Sequence, residues 1–288
     1  MKKIRFHYFT ITKTGTPKTL ADVFATLAAA DIGTKVKECN YSKIALDHIE
    51  QIGPLPSPIW VMRFSRLRED NWPGVTTLND VSKDLDLDQD SFLSEDTYVL
   101  FDTEQNKVVV QYNHIGVRPG KIQEYLSQWV DFSSGGYRLL PVFTNDTMAK
   151  YKAKQIVTSV EVAIDGITPE DLTYFNGGGL MAAVSGAVNS DAVKMKVVFS
   201  VDARIKTTRL KRSFVTDLVE KVMGRGGEDD KIIVHAKEEE SDAVELLNLL
   251  ESRKCVEYDG DSVPRTSGRR LDPDTMFQML RQAYREWV

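Results

Sequence analysis

One stretch leaves the chain little choice of local structure. In VKMKVVFSVDARIK, residues 193–206, Met195, Val197, Phe199, Val201 and Ile205 occupy the odd positions, while Lys194, Lys196, Ser200, Asp202, Arg204 and Lys206 occupy even ones. A helix would scatter both sets around its axis, whereas a strand sends successive side chains to opposite faces. The segment therefore reads as a half-buried strand with one packed face and one mainly cationic face. The period then changes. In RLKRSFVTDLVEKV, Leu210, Phe214, Leu218 and Val222 recur at i, i+4, which predicts a helix burying that stripe and turning Arg209 and Arg212 away from it. Strand and helix meet at Thr207 and Thr208.

The rest of the sequence alternates the same two patterns. A strand opens the chain, the TKTGTPK turn follows, and Thr19 caps a helix whose stripe is Leu20, Val23, Phe24 and Leu27. Strands are predicted over 35–49 and 58–67, and a hairpin over 96–102 and 107–113, turning through Glu104, Gln105 and Asn106. A helix through GKIQEYLSQWVDF, a strand at YRLLPVF and a strand at QIVTSVEVAI come next. A helix from TPEDL to about Asn189 precedes the basic strand, and KIIVHAK follows the basic helix. AVELLNLL and KCVEYD are expected to pair, before a last helix with Asp272 as cap and Pro273 at its first position. This predicts an α+β fold of mixed, mainly antiparallel sheets with packed helices, in two subdomains. The polar run TNDTMAKYKAK marks the boundary, giving residues 1–146 and 147–288, the second carrying the basic junction.

Charge is segregated. The chain carries −5 overall, yet residues 194–225 hold nine Lys and Arg against three acids, leaving −11 for the remainder. Such a protein attracts a polyanion to one face and repels it from the others, which orients the encounter. At the junction, helix-start N–H groups, threonine hydroxyls and guanidinium forks suit phosphate. The bland alternative is a solvated charged face with ordinary helix capping.

Other motifs carry less. Asp84, Asp86, Asp88 and Glu95 sit at positions 1, 3, 5 and 12 of a calcium-type loop, but Gln89 stands where the sharp turn needs glycine. The three glycines of FNGGGLMAAVSG fit neither nucleotide fingerprint and read as close helix packing. His7, His48, His114 and His235 are scattered singly, Glu161 and Asp165 lack a nuclease-type lysine at the right spacing, and GxSxG is absent. No catalytic centre, metal or other cofactor is expected. Cys39 and Cys255 are far apart and read as reduced thiols. The N-terminus lacks an apolar signal core, and no uncharged apolar stretch approaches membrane-spanning length, so a cytoplasmic protein without direct membrane insertion is expected.

Taken in order, FHYFTITKTGTPKTLADVF, DTYVLFDTEQNKVVVQYNH, YRLLPVF, QIVTSVEVAI and above all VKMKVVFSVDARIKTTRLKRSFVTDLVEKV followed by IIVHAKEEE resemble the RexA-like proteins of lambda-type phage exclusion systems. The resemblance spans nearly the whole chain and is mainly one of pattern. It implies a homodimeric protein that binds double-stranded DNA with little sequence preference, senses phage-derived complexes and acts through a membrane partner of the RexB kind to cause abortive infection. The DNA-contact role falls on Arg204, Lys206, Arg209, Lys211 and Arg212, with Lys194 and Lys196 beside them. The alternatives are a nuclease or other nucleic-acid enzyme with a site assembled from distant residues, and a protein-interaction adaptor whose basic face meets an acidic partner.

Overall fold

The computed structural model describes residues 3–288 apart from 40–41, 54–58, 70–71, 89, 114, 203–204, 206–207, 226–229 and 251–252. The chain divides into two compact units, Met1–Leu139 with Cys255–Val288, and Leu140–Lys254. Both are built on antiparallel sheets with packed helices, an α+β fold. The expected split gave 255–288 to the second half. These residues instead return to the first unit, because KCVEYD pairs with the N-terminal strand and not with AVELLNLL.

In the first unit the strands are β1 (Lys3–Gly15), β2 (Val36–Cys39), β3 (Ser42–Ile52), β4 (Ile59–Arg68), β5 (Leu93–Asp102), β6 (Lys107–Tyr112), β7 (Gly135–Pro141) and the late β12 (Cys255–Asp259). They join in the order β12-β1-β6-β5-β4-β3-β2, with β7 against β1. The segment expected as one strand over 35–49 is two strands of an antiparallel pair, Val36 facing Ala45 and Cys39 facing Ser42. Helix α1 (Leu20–Ala29) begins as expected: Thr19 Oγ1 accepts from the Asp22 N–H at 3.2 Å, and Leu20, Val23, Phe24 and Leu27 are buried. With Ile122, Tyr125 and Leu126 of α2 (Pro119–Ser127) they pack on Trp60, Met62, Phe64, Val99, Phe101, Val108 and Val110 of the sheet. The opposite sheet face meets the last helix of the chain, Pro273–Arg285. The Asp272 carboxylate caps it, accepting from the Thr275 N–H at 2.9 Å and hydroxyl at 2.7 Å, and Phe277 meets the Tyr98 ring edge-on at 5.1 Å.

The second unit contains α3 (Asn145–Ala153), β8 (Ile156–Asp165), α4 (Glu170–Tyr174), α5 (Met181–Asn189), β9 (Lys194–Ser200), α6 (Arg212–Arg225), β10 (Lys231–Lys237) and β11 (Glu245–Asn248). The final helix of the first unit is thus α7. The polar run expected as a boundary forms α3, whose Tyr151 is buried in the second core. The single helix expected to reach Asn189 is two, α4 and α5, with Gly177 between them at φ +70°. Sheet order is β11-β10-β8-β9, every pair antiparallel. Val160, Val162, Ile232, Val234 and Leu247 bury one face against Val184 of α5 and Val215, Leu218, Val219 and Val222 of α6.

Candidate nucleic-acid interface

Strand β9 realises the alternation that its sequence predicts. Met195, Val197 and Phe199 turn to the second core, and Lys194, Lys196, Val198 and Ser200 are exposed. The two lysines share this face with carboxylates of β8: Lys194 Nζ lies 2.7 Å from Asp165 Oδ2, and Lys196 Nζ lies 2.8 Å from Glu161 Oε1. Each exposed cation is thereby paired locally, which lowers its attraction for a distant phosphate.

Beyond Ser200, Thr207 lies outside the described residues and Thr208 is not yet helical. Thr208 Oγ1 donates to the carbonyls of Asp202 and Ile205, the Leu210 N–H donates to the Val157 carbonyl at 2.8 Å, and α6 begins only at Arg212. Leu210 is thereby tied to the edge of the core before the helix starts. Arg204 and Lys206 lie outside the described residues. Arg209 and Lys211 are exposed, and neither pairs with a described residue.

Arg212 points elsewhere. Its guanidinium donates to the carbonyls of Tyr151 at 3.1 Å and Lys152 at 3.0 Å, and to that of Lys154, and it stacks over the Tyr151 ring at 5.2 Å. These are the orphan carbonyls that end α3, where a cation is favoured by the helix dipole. Of the seven expected contacts, the described part of the structure therefore leaves Arg209 and Lys211 uncommitted, Lys194 and Lys196 ion-paired, and Arg212 engaged in fastening α3 to α6.

The remaining motifs resolve structurally. A Cβ on Gly179 would lie 2.4 Å from the Phe214 ring, so the glycine run serves close packing. Glu95 sits on β5 beside Arg68 at 4.0 Å, away from the acidic loop, and no group of three His, Cys, Asp or Glu gathers in metal-binding geometry among the described residues. Cys39 is buried, its thiol pushed up to about 12 chiefly by burial, and Cys255 is exposed; both are free.

Two polar networks have no contiguous signature. In the second unit, Arg225 Nε donates to Asp171 Oδ1 at 2.8 Å and Nη1 reaches both oxygens of the fully buried Asp230 at 2.8 and 2.9 Å, with further bonds to the carbonyls of Asp165 and Gly166. Burial opposes the guanidinium charge, but the two carboxylates hold it above its ordinary pKa, and burial raises Asp230 despite its partner. This is a clamp fixing the end of α6.

In the first unit, a β-bulge between Leu46 and His48 leaves Asp47 as the extra residue and aims it across β4. Arg63 Nε donates to Asp47 Oδ1 at 2.8 Å, while Ser65 Oγ lies 3.0 Å from Asp47 Oδ2 and 2.9 Å from Asp96 Oδ1. Arg270 pairs with Asp96 from the segment before α7. One hydroxyl proton serves one carboxylate at a time, and two guanidiniums balance two carboxylates, so the group is neutral and internally satisfied. The sequence signal for it is the polar pair Arg63 and Ser65, two residues apart, the first within the apolar run 59–64 and the second just beyond it.

Fold and surface together define a two-unit α+β protein whose second unit exposes Arg209 and Lys211 ahead of α6. The chain belongs to a family of unknown function, DUF6731, whose model matches residues 1–287. No curated protein matches it.

Proposed function

We propose that this chain binds double-stranded DNA with little sequence preference, through the basic connection that leads into α6. In this reading it is a homodimeric cytoplasmic sensor of a phage exclusion system, signalling to a membrane partner of the RexB kind. The observation that supports the reading is the pair Arg209 and Lys211, exposed and without partners among the described residues, on a chain that is otherwise strongly acidic. Unpaired cations release counterions on meeting phosphate, which is the sequence-independent part of DNA affinity. Arg204 and Lys206 add two more from the same connection by sequence. Lys194 and Lys196 contribute less, since a phosphate must compete with Asp165 and Glu161 for them.

No helix among the described residues is long and apolar enough to cross a membrane; in this reading the membrane step falls to the partner. The test is fluorescence anisotropy on labelled duplexes of unrelated sequence at low salt. Comparable binding of all duplexes, lost on adding an excess of unlabelled duplex, supports the reading. Absence of binding at low salt rejects it, and cleavage of the duplex with magnesium present replaces it with a nuclease.

A further inference from the structure

We infer that the free edge of β9 pairs with the β9 edge of a second copy, antiparallel about Val197, so that two four-stranded sheets become one. This concerns the backbone edge and stands independently of whether the basic connection binds DNA.

Strand β9 ends the second sheet, and among the described residues no strand lies on its other side. An open edge is a row of unpaired N–H and C=O groups that proteins normally keep short or interrupt. The edge strands β2 and β11 follow that rule at four residues each. Strand β9 runs seven residues, with no proline, no glycine and an unbroken register against β8. The lysines that would guard such an edge are drawn back over the sheet by Asp165 and Glu161.

Packing is unfinished on the same side. Core-facing Val160, Val162, Ile232 and Val234 on the inner strands are fully buried, but Met195, Val197 and Phe199 on β9 are only partly so. Val198 on the other face is 52% exposed and the preceding Val193 61%. A neighbouring strand is what would complete this layer.

The sequence of β9 suits its own copy. With Val197 on the two-fold axis, Val197 faces Val197, Met195 faces Phe199, Lys196 faces Val198 and Lys194 faces Ser200. No two lysines stand directly opposite, and the apolar residues meet on the core side. An in-register parallel pairing would set lysine beside lysine. The interface is isologous and closes at two copies.

The test uses the full chain in a Cys255→Ser background, with mass measured by sedimentation. The unmodified edge gives a concentration-dependent dimer, and Val197→Cys forms a covalent dimer on mild oxidation, whereas Met195→Cys, which faces Phe199, does not. Val198→Lys sets two lysine pairs face to face and raises the dimer dissociation constant about tenfold or more, with an unchanged melting curve as the control for folding. Adding Lys196→Glu to Val198→Lys restores the dimer. A monomer at all concentrations, growth beyond the dimer, or a dimer indifferent to Val198→Lys and cross-linked equally at 195 and 197 overturns the inference. An Arg209→Ala/Lys211→Ala variant that still dimerises but binds duplex more weakly, with a shallower salt dependence, separates failure of one reading from failure of the other.

Discussion

Replacing Arg212 with alanine should destabilise the second unit while leaving the electrostatics of DNA binding almost untouched. Three donor contacts to the carbonyls of Tyr151, Lys152 and Lys154 are lost, together with the stack on Tyr151. A cation at a helix C-terminus contributes roughly 1 kcal/mol and a cation–π contact ~0.5–1 kcal/mol. The carbonyls are near the surface and regain water, so the hydrogen bonds add about 1 kcal/mol net, well below their value in isolation. The loss comes to about 2–3 kcal/mol, or a melting temperature lower by roughly 8–12 °C for a unit of this size. Thermal unfolding followed by far-UV circular dichroism measures it. Arg212→Lys keeps the charge but loses the fork and should fall between the two. Arg209→Ala, at an exposed position without partners among the described residues, should stay within about 0.5 kcal/mol. An Arg212→Ala variant that melts within about 2 °C of the parent, or that lowers the salt dependence of duplex binding as much as Arg209→Ala does, contradicts this role for Arg212.

Three further outcomes follow from the networks and packing. Arg225→Met strands Asp171 and Asp230 in the core and should cost about 3–5 kcal/mol in urea unfolding. Because burial raises the Asp230 pKa, its contribution is present below the unfolded pKa and lost as pH rises through the folded one, so this variant should recover stability on acidification. For Asp272, bonds from the Thr275 side chain and backbone lower the pKa; the stability gap between parent and Asp272→Ala should be full at neutral pH and close as pH falls through the folded value. Gly179→Ala drives a methyl into the Phe214 ring and should destabilise by about 1–3 kcal/mol, whereas at Gly186, where a Cβ meets nothing within 4 Å, alanine should be harmless.

Local structure was legible where one period ran uninterrupted. Thr19 with its apolar stripe, the 96–113 hairpin, the alternation of β9 and the Asp272 cap all lie where side-chain spacing puts them. What sequence could not carry was pairing over distance. Nothing within KCVEYD says that it prefers β1, since any strand of the right alternation satisfies the same rule, and so the return of 255–288 to the first unit was hidden. The polar run at 144–154 reads as a linker because its helix is held from outside, by Tyr151 in the core and Arg212 at its end. The same long-range contact decides the basic segment. Periodicity turns Arg209 and Arg212 to one side of a helix, but α6 starts at Arg212, and that side chain answers to α3. Charge counting identified the region, and only geometry separated the occupied cations from the open ones.

The salt dependence of duplex binding tests the account most directly. If the two exposed cations Arg209 and Lys211 act together with Arg204 and Lys206 of the same segment, four neutralised phosphates give a slope of log K against log salt near −3.6, and Arg209→Ala/Lys211→Ala should halve it to about −1.8. A slope unmoved by that double change, or a duplex that does not bind at low salt, contradicts the assignment of this segment to DNA.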